Sequence, residues 1–293
     1  MFEPPAVQLL SGDRLHLSHG PIDVVLKAWG AGDAAAAARD AACRRFPAVL
    51  PELCDELAVL RRPVEQSSAV DGPVARRMVE ACRPFAGVFI TPMAAVAGAV
   101  ADELLACMTA AAPLARAFVN DGGDIALHVA EGEAMSVGIA ADFSRGPAPA
   151  VSGGLRIDRA SGVRGIATSG ARGRSFSLGI ADAATVLAHS AAAADAAATL
   201  IANAVNVDSP AVERRPARDL DPDSDLGALP VTVGVGALDA AEVELALARG
   251  LACAREFRRR GLLVDAALAL AGETRILGRR RARPELARRA QAR

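Results

Sequence analysis

The sequence predicts an α+β protein in which antiparallel strands pack against helices. Short strand-like runs fill residues 6–29 and the middle third, Ala-rich stretches show helical periodicity, and strands and helices do not alternate as they do in a doubly wound sheet. The 293 residues suffice for a substantial core, and a composition with 52% hydrophobic and 23% charged residues excludes general disorder.

The N-terminal part is expected to form a small antiparallel sheet followed by helices. Residues 6–29 contain apolar stretches separated by turn signals, which predicts a hairpin or a short meander. Over residues 32–60 apolar side chains recur with helical spacing, and Pro47 and Pro51 are predicted to divide this stretch into shorter helices. A second helix is predicted over residues 93–112, where small residues permit close packing.

The middle third is predicted to be sheet. Strands are expected at residues 117–120, 124–130, 134–140, 154–160, 162–170 and 181–188. A buried Ala-rich helix follows at 190–204, and the polar segment 213–230 is expected to be a loop. A strand at 231–238, a helix over 239–259 capped by Asp239 and a final hairpin complete the body.

Charge, cysteine content and targeting signals argue against several classes of protein. The net charge of −1 disfavours nucleic-acid binding by bulk electrostatics, and five scattered cysteines without a CxxC pair disfavour a disulfide framework or a zinc finger. Residues 1–10 lack signal-peptide features, and the apolar stretch 85–101 contains Pro92, so we expect a cytoplasmic protein without a membrane segment. We expect one domain over residues 1–278, with two intertwined subdomains as the alternative, and a flexible basic tail at 279–293.

Two Gly-containing segments could contact a ligand. In residues 120–124, Asn-Asp-Gly-Gly-Asp, the glycines allow a close backbone approach to a ligand, although the composition by itself favours a hairpin turn. Residues 168–170, Thr-Ser-Gly, are followed by Arg172 and Arg174. Their hydroxyl, amide and guanidinium groups would suit a phosphate or pyrophosphate, and a plain surface loop is equally consistent with the pattern.

Asp195 and Thr199 form the third candidate. Their i, i+4 spacing places a carboxylate and a hydroxyl on one helix face, about 6 Å apart. Both groups supply the hard oxygen ligands that Mg²⁺ prefers, and Mg²⁺ commonly takes few protein ligands. From these residues alone, a helix cap or an exposed aspartate remains the alternative. No GxGxxG, P-loop or GxSxG motif occurs, and among the four histidines His19 is the best placed for a role.

In their order along the chain, these segments resemble the ApbE superfamily, flavin transferases that move FMN from FAD onto a protein threonine with Mg²⁺. VNDGGDI (119–125), IATSG (166–170) and ATVLA…ADAAAT (184–199) resemble the GGD, TSG and ADALAT-type motifs of that superfamily. The sequence resembles more closely a less-characterised cytoplasmic (UPF-type) branch of this superfamily, found in archaea and some bacteria. This closer resemblance lies in residues 15–30, 91–103, 177–206 and 221–236. The resemblance extends over residues 10–275.

The resemblance implies a T-fold-like architecture with FAD, or a related flavin or pterin nucleotide, in a cleft. It also implies that Asp195 and Thr199 bind Mg²⁺ together with a backbone carbonyl best aligned at Val96. With Thr168–Gly170, Arg172 and Arg174 as the candidate phosphate contacts, the expected nucleotide site consists of Asn120, Gly122, Gly123, Asp124, Thr168, Ser169, Gly170, Arg172, Arg174 and Gly98. Asp182 and Asp124 are the expected catalytic carboxylates.

Two departures from the transferase pattern leave the function open. The GIAKGYAVD-type stretch of the transferases corresponds to residues 95–102, where only Gly98 and Asp102 are kept, and the HIIDP-type segment is condensed to residues 175–182 without its His. One hypothesis is an FMN transferase or FAD pyrophosphatase-like enzyme with a protein acceptor. The second is a catalytically degenerate protein that binds a flavin, pterin or deazaflavin-like cofactor in one-carbon or redox metabolism. The third is an enzyme acting on another heterocycle, and a homodimer is left open.

Overall fold

The computed structural model describes residues 3–66, 69–142, 150–173 and 175–278, without the side chains of 139–142 and 150–153. Its main feature is a nine-stranded antiparallel sheet. From one edge of this sheet to the other, the strands are β1 (Ala6–Leu10), β2 (Arg14–His19), β3 (Ile22–Trp29), β4 (Arg116–Asp121), β5 (Asp124–Val129), β8 (Gly165–Ser169), β9 (Ala183–Ala188), β12 (Asp265–Leu270) and β13 (Glu273–Ile276). The predicted α+β class, with antiparallel sheets packed against helices, is confirmed.

Two hairpins stand outside this sheet. Strands β6 (Ala134–Asp142) and β7 (Ala150–Asp158) pair with each other, and so do β10 (Val212–Pro216) and β11 (Pro230–Val235). The polar segment 213–230 was expected to be a loop, and this expectation is wrong at its start. Val212 is buried, and β10 pairs with β11. The backbone hydrogen bonds of this hairpin therefore stabilise a strand although its side chains are mostly polar.

Helices pack against the main sheet and against one another. They are α1 (Ala34–Asp55), α2 (Leu57–Leu60), α3 (Pro73–Cys82), α4 (Val96–Ala111), α5 (Ala191–Ala204) and α6 (Ala240–Arg259). Helix α4 lies centrally, against α1, α3, α5, β4 and β5. Alternate residues of β3, such as Val24 and Leu26, are fully buried against this layer, as period-2 patterning requires.

The predicted division of the first helix is wrong. Pro47 and Pro51 both lie inside α1, which continues to Asp55. The stripe from Ala42 through Phe46 to Leu53 is buried without interruption, and burying large side chains at about 1.5–3 kcal/mol each outweighs the hydrogen bonds that the prolines cannot donate.

The small residues of α4 have the predicted consequence. A Cβ atom built on Gly98 would lie 2.4 Å from the carbonyl oxygen of Ala191, so α4 and the start of α5 touch through their backbones. Asp102, one turn further along α4, accepts hydrogen bonds from the amides of Ala191 (3.0 Å) and Ala192 (2.9 Å). Burial raises the pKa of Asp102, although these two amides act in the opposite direction. The two helices are therefore held in a fixed relation at the N-terminus of α5.

Within the described ranges, one helical run is long and apolar enough to cross a membrane by length and composition, Pro92–Ala111. This run contains α4, and it carries Asp102 and Glu103. The buried Glu103 is paired with Arg45 (2.9 Å) and Arg77 (3.1 Å), which lie on α1 and α3. These contacts are those of a helix at the centre of a protein core.

Candidate nucleotide site

A single cleft of about 840 Å³ gathers most of the residues that the sequence singles out. Its wall includes the β4–β5 turn, the segment after β8, the start of α4 and one face of α5. Asp221 and residues 223–226, from the loop between β10 and β11, also line the cleft. The loop reaches the α4 side through a hydrogen bond that the buried Thr91 hydroxyl donates to Asp225.

The β4–β5 connection is a two-residue turn, as its composition predicts. Gly122 and Gly123 have φ values of 61° and 120°, which glycine adopts without strain. Asn120 holds this turn, because its Oδ1 accepts a hydrogen bond from the amide of Gly123 at 2.9 Å. Asn120 itself is not part of the cleft wall, whereas both glycines and Asp124 are.

The end of β8 and the residues that follow it lie beside that turn. The amide of Thr168 donates to Oδ1 of Asp124 at 3.3 Å, and the hydroxyls of Thr168 and Thr185 are 2.9 Å apart. Gly170 is required by close packing, since a Cβ there would lie 2.6 Å from the carbonyl oxygen of Asp182. Thr168, Ser169 and Gly170 all line the cleft.

Arg172 reaches the cleft wall but is already paired. Its Nε lies 2.7 Å from Oδ1 of Asp182, and the other oxygen of Asp182 accepts a hydrogen bond from the amide of Ala271 at 2.7 Å. Arg172 is largely exposed, so this ion pair contributes little stability and can be exchanged for a ligand. Arg174 lies outside the described residues.

The expected metal corner assembles around α5. Asp195 and Thr199 line the cleft from that helix, and Val96 lines it at the start of α4. Gly98 is outside the wall, but its amide donates to Oδ2 of Asp195 at 3.2 Å and so positions the carboxylate.

The environment of Asp195 disfavours an uncompensated negative charge. Burial raises the pKa of Asp195 well above its usual value, and the negative charges of Asp124 and Asp121 raise it further. The amides of Gly98 and Ala97 act in the opposite direction but do not compensate. A bound cation would remove this cost.

Several cleft residues are not among the predicted site residues. Asp121 lies within the segment 120–124 that the sequence singles out; it is buried and its Oδ1 accepts a hydrogen bond from the amide of Asp23 at 3.2 Å. Asp225, Phe89 and Phe176 come from three different loops. No local pattern marks them, because only the tertiary fold brings these loops together. His19, in contrast, is buried beside Phe46 and is not part of the cleft wall.

The described wall of the cleft is strongly acidic, with seven aspartates and two arginines. No group of three or more His, Cys, Asp or Glu side chains in the described part of the chain is arranged to hold a metal by itself. A site made of one carboxylate, one hydroxyl and a backbone carbonyl would leave further coordination positions to a ligand's phosphates and to water, which is how Mg²⁺ is commonly bound.

Comparison with known proteins assigns the chain first to a class and then to a family. The class is that of ApbE-like proteins, as the motifs suggest. The family model described as "AbpE bacteria" matches residues 7–276, and the chain belongs to this family. The resemblance predicted from the sequence is thereby confirmed.

Curated relatives come from methanogenic archaea and carry the name UPF0280 protein. The protein of Methanothrix thermoacetophila is 40% identical over 138 residues, which are 47% of this chain and 54% of the relative. That of Methanocella arvoryzae is 39% identical over 158 residues, 51% of this chain and 60% of the relative. In these alignments the chain spans just over half the length of the curated relatives it matches.

A solved structure is similar to the chain over most of its length. The apo form of the flavinyl transferase ApbE of Pseudomonas stutzeri superposes with a TM-score of 0.41 and 12% identity. The superposition covers 94% of this chain and 93% of that structure.

Proposed function

We propose that this protein binds a flavin nucleotide together with Mg²⁺ in the cleft and acts on its pyrophosphate, as an FMN transferase or an FAD pyrophosphatase-like enzyme. The observation that carries this proposal is the position of Asp195 and Thr199, which line the same cleft as the Gly122–Gly123 turn and the Thr168–Gly170 segment. A candidate metal corner and a candidate phosphate loop are thus combined in one site.

The residues present fit a divalent cation. Asp195 and Thr199, with the carbonyl of Val96, supply hard oxygen ligands. Burial, and then the negative charges of Asp124 and Asp121, raise the pKa of Asp195, and a cation would relieve both costs. The acidic wall supports the same conclusion, because a pyrophosphate would be repelled from it without a counter-cation. When bound, Mg²⁺ would neutralise the pyrophosphate and polarise the scissile P–O bond.

The protein groups would bind and orient the nucleotide. Gly122 and Gly123 have no side chain to separate the turn from a ligand, and Thr168 and Ser169 offer hydroxyl groups. Arg172 would exchange its contact with Asp182 for a phosphate oxygen. Asp124 or Asp182 would accept the proton of the attacking hydroxyl, which belongs to water or to a threonine of an acceptor protein.

A second candidate function is a binding protein without catalytic activity, for a flavin, pterin or deazaflavin-like cofactor in one-carbon or redox metabolism. One observation favours it: both oxygens of Asp182 are engaged, one by Arg172 and one by the amide of Ala271. A carboxylate with contacts at both oxygens orders the loop around it, which is a structural role and not a catalytic one.

One assay separates the two functions. The pure protein is incubated with FAD and Mg²⁺, and AMP and FMN are measured by chromatography. Release of AMP that disappears in D195N, but persists in the exposed control variant D208N, supports the enzyme. Because water is the only acceptor in this assay, clear FAD binding without AMP above a protein-free blank would refute hydrolysis of the FAD pyrophosphate and favour the binding protein.

A further inference from the structure

Among the residues that the structure describes, the most exposed phenylalanines lie at the cleft. The chain contains eight Phe, one Trp and no Tyr. Phe89 and Phe176 are 39% and 38% exposed, and both line the cleft. Most other described phenylalanines are buried in the core: Phe46, Phe85 and Phe257. An exposed aromatic ring gives up the free energy of burial, so two in one cleft need an explanation.

Anchored backbone segments present both rings. Phe89 lies between Gly87, which has a φ of 98°, and the buried Ile90, whose carbonyl accepts a hydrogen bond from the amide of Val64 at 2.8 Å. Phe176 precedes the buried Ser177, whose carbonyl accepts from the amide of Thr232 at 2.8 Å. The exposure of the two rings is therefore fixed by the fold.

Neither ring forms an aromatic pair with another described residue. Among the residues that the structure describes, ring pairs join His19 to Phe46, Trp29 to Phe118 and Phe85 to Phe257, and none includes Phe89 or Phe176. Both faces of a flat apolar ring favour another flat ring, with a gain beyond simple burial.

We propose that Phe89 and Phe176 bind the planar heterocycle of the ligand and position it in the cleft. This inference rests on the proposed nucleotide function of the cleft, and it assigns the ring-binding part of that site. The phosphate end of the ligand belongs to the Thr168–Gly170 segment and Arg172, on the same cleft wall. The two phenylalanines position the ligand and take no part in proton transfer.

Binding of two probes tests the inference by calorimetry in the presence of Mg²⁺. FMN carries a ring and a phosphate, whereas inorganic pyrophosphate carries no ring. The variants are F89A, F176A, F89L and F176L, and V88A serves as the matched control because Val88 is 59% exposed beside Phe89 but is not part of the cleft wall.

We expect F89A and F176A each to weaken FMN binding by about fivefold or more, since stacking on an aromatic side chain is typically worth at least this much. Leucine should restore only part of the loss, because it supplies apolar area without a flat face. Pyrophosphate binding should stay within about twofold in every variant, and V88A should match the wild type.

Three results would overturn the inference: unchanged FMN affinity in both alanine variants, equal losses of affinity for both probes, or a wild-type protein that binds pyrophosphate but neither FMN nor any other phosphorylated planar ring compound.

Failure of the proposed enzyme activity has a different consequence. If no AMP is released from FAD while the ring-dependent losses are found, the ring site stands and only the catalytic proposal falls.

Discussion

Substitution of Asp195 by Asn tests two properties of this residue: the cost of its buried negative charge and its proposed role as an Mg²⁺ ligand. In the metal-free protein its raised pKa means that ionisation costs more in the folded than in the unfolded chain. Each unit by which the pKa is raised removes about 1.4 kcal/mol of stability once the group is ionised in both states. We therefore expect metal-free D195N to melt at or above the wild-type temperature at pH 7–8.

The pH dependence of this difference follows from the direction of the shift. Well below the unfolded-state pKa, Asp195 is protonated in both states and costs nothing. As the pH rises through the unfolded-state pKa towards the raised folded-state pKa, the unfolded chain loses its proton first, so wild-type stability falls. The advantage of D195N should therefore be present at neutral pH and should disappear as the pH approaches 3–4.

Mg²⁺ should reverse the order of the two proteins. A ligand present at about 100 times its dissociation constant stabilises the folded state by roughly 2.7 kcal/mol, which corresponds to about 4–5 °C in melting temperature for a chain of this size. We expect this shift in the wild type and its loss in D195N. The control variant D208N removes one exposed carboxylate outside the cleft and should keep the shift.

Differential scanning fluorimetry with and without Mg²⁺, at pH 4 and pH 7.5, measures both effects. Equal Mg²⁺-induced shifts in D195N and the wild type would refute the assignment of Asp195 as a metal ligand. A metal-free D195N that melts well below the wild type at pH 7.5 would refute the argument from its charge.

Three further changes have expected outcomes. The double variant R172A/R174A should lower the affinity for a phosphorylated ligand at least about tenfold and leave the affinity for its dephosphorylated analogue almost unchanged, as measured by calorimetry. Equal losses of affinity for both ligands would assign the loop a structural role. G98A should lower stability in urea by about 1–3 kcal/mol, because its Cβ would lie 2.4 Å from the backbone oxygen of Ala191; an unchanged midpoint would contradict this packing. Deletion of the basic tail 279–293, which lies outside the described residues, should leave melting temperature and ligand affinity unchanged, and a marked loss of stability would show that the tail docks.

Local signals predicted most of the elements correctly. The N-terminal meander, the Ala-rich α5 and the final hairpin follow from hydrophobic period and turn residues. Asp239 caps α6 as predicted, accepting a hydrogen bond from the amide of Glu242 at 2.8 Å while the Glu242 side chain accepts one from the Asp239 amide. Such features involve residues within one turn of each other, so a sequence shows them directly.

The errors arose where distant contacts decide the structure. Pro47 and Pro51 are tolerated in α1 because a buried stripe holds the helix together. The strand β10 forms because it pairs with β11, whose residues are 14 or more positions away in the sequence. Propensity is a weak guide when tertiary packing supplies more free energy than a local break costs.

The candidate site was predictable only in part. The i, i+4 spacing of Asp195 and Thr199 and the glycine turn are local patterns, and the structure brings them to one cleft. The contribution of Asp121 to the charge around Asp195, and the two exposed phenylalanines, depend on loops that are far apart in sequence. These contacts required the fold.

The most direct test of the account is a crystal structure of the protein grown with FAD and Mn²⁺, with anomalous data collected at the manganese absorption edge. The account predicts one anomalous peak within about 2.5 Å of an Asp195 carboxylate oxygen and of the Thr199 hydroxyl, touching the pyrophosphate of a nucleotide in the cleft. A nucleotide bound in the cleft with no manganese peak at these two residues would contradict it.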